Sequence, residues 1–334
     1  MHHNRSLWIW VASLALVTGC GGTPPPSSSD AADARLAAPR SEVPKASDLV
    51  KQAEQKIQAG DAEGAKSLLE QAIASDGGDA RAHLDLGIAN EMLGDAEAAK
   101  AAYRAAIDVQ GDLAEALNNL GVLLRDGGEL QEAIGLLQRA AEANAGSASV
   151  QMNLALALED AGDGPGARKA YERALSIKPD EVMTRANLGL LLLAMGEADE
   201  AQRQLQQAMR SAKDNRAALL AIGNGLRRSG EPKLAVQAMQ AAVKAGGEAP
   251  TPALLSELAL AQRAADDRDG AIATLGEALA LDAKYATAHY LLGNMHAGAK
   301  RFGEARKHYK AYLKLDPGGP HAERATERLG KLPK

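Results

Sequence analysis

Residues 119–140 read NLGVLLRDGGELQEAIGLLQRA, and this stretch decides the fold. Two segments with helical periodicity flank a turn, Asp126 to Glu129, that holds two glycines. In the second segment Ala133, Leu137 and Ala140 are four and three residues apart, so they share one helix face. In the first, Gly121 follows Leu120 at a point where the facing helix leaves room only for a small side chain. The stretch therefore reads as two helices folded back on each other.

The pattern extends in both directions. The small residue after the first-helix Leu recurs at Ala53, Gly87, Gly121, Ala155, Gly189, Gly223, Ala259 and Gly293, in steps of 34 five times, then 36, then 34. Twelve residues further on, every unit has Ala, from Ala65 to Ala305. Four beyond that stands a larger side chain, such as Leu69, Tyr103, Leu137 or Tyr171. One such hairpin cannot bury its apolar face alone, so the units must stack. Turns such as GDAEGA, GDAEAA and GDGPGA supply Gly to end one helix and an acid to begin the next. Composition agrees. Aromatic residues are 3% of the 334, too few for a sheet protein, and Ala and Leu dominate. The net charge of −5, without a run of Lys or Arg, argues against nucleic acid as a partner.

These residues resemble the tetratricopeptide repeat family, and LGNMHAGAKRFGEARKHYKAYLKLDP at 292–317 carries the resemblance as strongly as the opening stretch. It implies an all-α, right-handed α-solenoid of eight helix–turn–helix units with a C-terminal capping helix. The units fall at 46–79, 80–113, 114–147, 148–181, 182–215, 216–249, 252–285 and 286–319, with the cap and tail at 320–334. Departures are local. Gln52 stands where Leu is expected, Ala259 and Asp266 replace two glycines, and GGEAPTP at 246–252 adds two residues, where the superhelix is expected to be irregular.

The resemblance further implies that first helices line a concave groove. Asn119, Asn153 and Asn187 share one register there, with Asp85 a repeat before and Ala221 a repeat after. They look like the asparagine ladder in the repeats of O-GlcNAc transferase, whose amides hold the backbone of an extended peptide. An amide both donates and accepts, so it suits any peptide unit. The alternative is that these Asn only serve packing between first helices. Arg81, Glu115, Arg125, Glu159, Asn224, Arg227 and Arg228 add mixed polarity, and Met152, Leu156, Leu190 and Leu193 an apolar stretch. The expected ligand is a peptide or helix with both apolar and charged groups. The Lys/Asn/Arg set of the family's carboxylate clamp is absent from the matching places.

The N-terminus reads as an export signal. Residues 7–17, LWIWVASLALV, are too short to span a bilayer, which takes roughly 20 residues. The run ends in VTGC, which resembles the lipobox of bacterial lipoproteins. Residues 1–19 would be removed and Cys20 lipidated; ordinary signal cleavage is the alternative. Residues 20–45 then form a Pro/Ser/Ala-rich tether. Cleavage leaves 37 cationic and 43 acidic side chains, a net −6, so the lipid and not a basic patch would hold the protein to the membrane. Gly21, where Asp would favour inner-membrane retention in some bacteria, points to a periplasm-facing protein of the outer membrane.

Catalytic signals are weak. His289, His296 and His308 fall in the last unit without a Cys or an HExxH motif, so no metal site is expected. The Gly-bearing turns lack a phosphate loop's Lys-Ser/Thr, no cofactor is implied, and no segment is left over for a catalytic domain. The expectation is a non-enzymatic scaffold that binds an envelope protein and supports a pilus, secretin, motility or secretion machine. Its layout resembles the pilotin-type repeat lipoproteins. The alternative is an adaptor for peptidoglycan synthesis or hydrolysis enzymes. Oligomeric state stays open.

Overall fold

The computed structural model describes residues 45–247 and 249–333. Cys20, the signal segment and nearly all of the tether lie outside them. Seventeen α-helices and no strand occur among the described residues. First helices of the units are α1 (Ala46–Gln58), α3 (Ala80–Met92), α5 (Ala114–Asp126), α7 (Ala148–Asp160), α9 (Val182–Ala194), α11 (Arg216–Arg228), α13 (Pro252–Ala264) and α15 (Ala286–Gly298). Their second helices are α2 (Ala62–Ser75), α4 (Ala96–Val109), α6 (Leu130–Ala143), α8 (Gly164–Ile177), α10 (Ala198–Ser211), α12 (Pro232–Lys244), α14 (Arg268–Leu281) and α16 (Phe302–Leu315). The chain ends in α17 (Ala322–Lys331).

Each hairpin closes through the chemistry of its turn. Gly60, Gly94, Gly128, Gly162, Gly196 and Gly230 all adopt φ near +80°, a left-handed conformation that only Gly enters freely. Asp266 (φ 64) and Lys300 (φ 59) take the same place in the last two units. Four second helices then start on an Asp cap. Asp61, Asp95, Asp163 and Asp267 accept from the backbone N–H three residues on at 2.9–3.0 Å. Each such cap contributes about 1 kcal/mol.

The repeating Ala column packs the pair. Ala65, Ala99, Ala133, Ala167, Ala201, Ala235, Ala271 and Ala305 are all fully buried, as are the larger residues four positions on. Burying each Leu among the latter contributes about 2–3 kcal/mol. The facing first-helix glycines stand at close approach. A Cβ on Gly87 would lie 2.3 Å from the Tyr103 ring, and one on Gly121 2.7 Å from Leu137 Cγ.

Successive first helices touch one another, as with α1 and α3, α9 and α11, or α13 and α15. Successive second helices do not come as close, so first helices form the inner wall. At the 36-residue step, Gly246 (φ 78) and Gly247 (φ 68) absorb the added length. Ala242 and Ala245 on one side still share a core cluster with Leu254 and Leu258 on the other. None of the described helices is long and apolar enough to cross a membrane.

Candidate binding groove

The inner wall changes character along its length. Near its start, Arg81 Nε lies 3.4 Å from Glu54 and 3.2 Å from Asp85, and Arg81 Nη1 lies 3.0 Å from Glu115. This ladder crosses α1, α3 and α5. Asp85 is buried, and desolvation pushes its carboxyl up to about 6 against the pull of Arg81.

In the middle, Asn153 and Asn187 are buried and Asn119 half-buried. Asn153 Nδ2 donates to Asn118 Oδ1 at 2.9 Å, and Asn118 Nδ2 donates to Asn119 Oδ1 at 3.1 Å. The sequence reading missed Asn118, because it stands outside the repeated register. Met152 and Leu156 are partly buried against one core cluster and Leu190 against the next. Arg125 pairs with Asp126 at 2.8 Å and Asp160 at 3.6 Å, while Glu159 accepts the Tyr171 hydroxyl at 2.9 Å.

A lined hollow lies further on. A cavity of about 740 Å³ opens between α11, α13, α15 and α17. Two columns of side chains line it. Leu220, Ser256, Tyr290 and Arg324 form one; Asn224, Leu260, Asn294 and Arg328 form the other. In each column the steps are 36, 34 and 34 residues, so α17 occupies the place of a ninth first helix. The cap is a wall of the groove as well as a lid on the core. Of the groove residues expected from the sequence, Asn224 is on this cavity, and the Asn119–Asn187 ladder is not. Continuing the 34-residue step from Tyr290 and Asn294 would have found Arg324 and Arg328.

Polar groups converge on this hollow. The Tyr290 and His321 rings stack at 4.3 Å, and the backbone N–H of His321 donates to the Tyr312 hydroxyl at 3.0 Å. Asn294 Oδ1 accepts from the Tyr309 hydroxyl at 2.8 Å and also from Arg328. Ser256 Oγ and His321 Nδ1 are buried with no hydrogen-bond partner among the described residues. Among the described residues the lining holds Arg216, Arg263, Arg324 and Arg328 against one carboxylate, Glu257, which lies 3.8 Å from Arg227.

The three late histidines do come together. His289 Nδ1 and His308 Nδ1 are 3.0 Å apart, and the rings of His296 and His308 stack at 5.6 Å. Burial, helped by the neighbouring imidazoles, lowers His308 to about 4. Among the described residues no group of three or more His, Cys, Asp or Glu is placed to hold a metal ion.

Comparison with known proteins gives the family. A tetratricopeptide repeat description matches residues 50–108, 91–148, 119–182 and 256–320, and a second one matches 158–224. No curated protein matches the chain. Among solved structures, a tetratricopeptide repeat protein from Parabacteroides merdae is 15% identical, with a TM-score of 0.55 over 71% of this chain and 93% of its own. PilF of Pseudomonas aeruginosa is 20% identical, with 0.49 over 60% and 90%. MamA of Desulfovibrio magneticus is 18% identical, with 0.48 over 51% and 96%. The chain, a stack of paired helices with one extended inner wall, belongs to the tetratricopeptide repeat family.

Proposed function

We propose that this protein is a lipid-tethered scaffold of the bacterial envelope, whose inner wall binds a protein partner and supports assembly or stability of a pilus, secretin, motility or secretion complex. Its repeat fold supports protein–protein interaction, and the observation that carries the reading is the open cavity on the first-helix wall, where buried polar atoms stand without partners. Such atoms cost free energy unless a ligand or water meets them. The VTGC sequence at 17–20 and the Pro-rich segment after it support the tether. Crosslinking and co-purification from membranes test the scaffold. Recovery of one envelope-machine subunit in stoichiometric amount is the expected result, wall hydrolases would turn the reading to a peptidoglycan adaptor, and turnover of glycan or nucleotide by the pure protein would refute both. Replacing Cys20 with Ala should release the protein from membranes; retention there would refute the lipid anchor.

A further inference from the structure

The cavity between α11, α13, α15 and α17 has a chemistry of its own, and we infer that it receives an acidic segment of the partner polypeptide, with carboxylates on Arg263 and Arg324 and an aliphatic side chain on the floor. This inference rests on the scaffold reading and narrows it.

Charge is the first argument. Among the described residues four arginines line the cavity and one carboxylate does. The side chains of Arg263 and Arg324 are exposed and make no hydrogen bond or ion pair with any described residue. Glu257 is turned toward Arg227, outside that pair. A guanidinium is a fork of donors with a fixed plane and matches a carboxylate through two parallel bonds. Asparagine and glutamine side chains offer no such charge, so the discrimination should be for Glu or Asp.

Burial is the second, independent argument. Ser256 lines the cavity at 4% exposed, and its buried hydroxyl has no hydrogen-bond partner among the described residues. His321, also on the lining, has its Nδ1 in the same condition, on a ring stacked against Tyr290. A hydroxyl and an imidazole nitrogen can each take a backbone or side-chain hydrogen bond from an arriving peptide. Leu220, Leu260 and Leu291 supply the apolar floor that an ion alone would not need. The wall at the other end of the array is different, because Arg81 there is already held by Glu54, Asp85 and Glu115. The acid-binding end is therefore the α17 end.

The test uses the full chain and a fluorescein-labelled peptide carrying Glu and Leu in a Gly/Ser background, with a twin bearing Gln in place of every Glu. Fluorescence anisotropy should show the Glu peptide binding at least about tenfold more tightly than its twin, with the difference shrinking as salt is raised. The double variant Arg263→Ala, Arg324→Ala should lose that preference while its thermal unfolding is unchanged, because both side chains are exposed. Ser256→Val, which blocks the floor without altering charge, should weaken both peptides alike. Equal affinity for the two peptides, or a preference that survives in the double variant, overturns the inference. The scaffold reading is judged apart from this. If membranes yield the same partner with wild type and double variant, only the acidic site falls; if wild type captures nothing, the scaffold itself falls.

Discussion

Adding one methyl group to α3 should test why the units are built as they are. A Cβ on Gly87 would meet Tyr103 Cε1 at 2.3 Å, Cδ1 at 2.5 Å and Cζ at 2.8 Å. The ring has little freedom to retreat, since Tyr103 is fully buried and its hydroxyl donates to Glu91. Gly135 in α6 has no atom within 4 Å of its would-be Cβ. Both Gly→Ala changes gain about 1 kcal/mol of helix propensity. Only Gly87→Ala adds overpacking, worth about 1–3 kcal/mol. Ala155 stands opposite Tyr171 in the fourth unit, so the helices can open enough to take the methyl. That holds the cost within the range for overpacking. Gly135→Ala should therefore raise the urea midpoint, Gly87→Ala should lower it or leave it unchanged, and the two should differ by about 1–3 kcal/mol. Hydrogen exchange in α3 and α4 would place the loss within the array, which need not unfold as one unit. If Gly87→Ala stabilises as much as Gly135→Ala, close approach is not what keeps Gly in this column.

Asp85 titrates near 6 in the fold, above its ordinary 3.8, so the folded state binds more protons between those values. Its contribution is favourable at low pH and is lost as pH rises through 6; Asp85→Asn should raise stability at pH 7 by about 1–2 kcal/mol and flatten the profile in calorimetry at pH 4–7. His308 has the opposite sign, being held near 4 below its ordinary 6.5. Stability should fall by roughly 1–2 kcal/mol as pH drops from about 6.5 to 4, and His308→Gln should remove most of that slope; an equal slope in the variant would refute the assignment. Asn153→Ala with Asn187→Ala should weaken partner binding and cost about 1 kcal/mol of stability, because Asn118 Oδ1 loses its donor. Unchanged affinity in a pull-down titration would return both residues to packing.

The paired-helix architecture was legible because every unit repeats the same neighbours. Ala133 must be Ala for the reason that Ala99 and Ala167 are, and a period of 34 makes this visible without coordinates. The Asn register was equally visible, but what each amide meets depends on rotamers and on off-register neighbours such as Asn118. The cavity escaped notice for another reason. Its walls come from four helices that each look ordinary alone, and HAERATERLGKL read as a polar end-piece instead of as a further first helix. The partners of an Arg in such a helix cannot be read from its own segment. Cys20 lies outside the described residues, so the lipid anchor still rests on its motif.

The joint at Gly246 and Gly247 also bears on how such a chain can change length. An extra residue inside a helix turns every following side chain by about 100°, which would carry a core stripe round into solvent. Two extra residues at this joint leave Ala242 and Ala245 packed with Leu254 and Leu258. Insertions placed here should be tolerated where the same insertion within α12 or α13 would not, so the seam between the sixth and seventh units is the natural place to splice in a tag or a further domain.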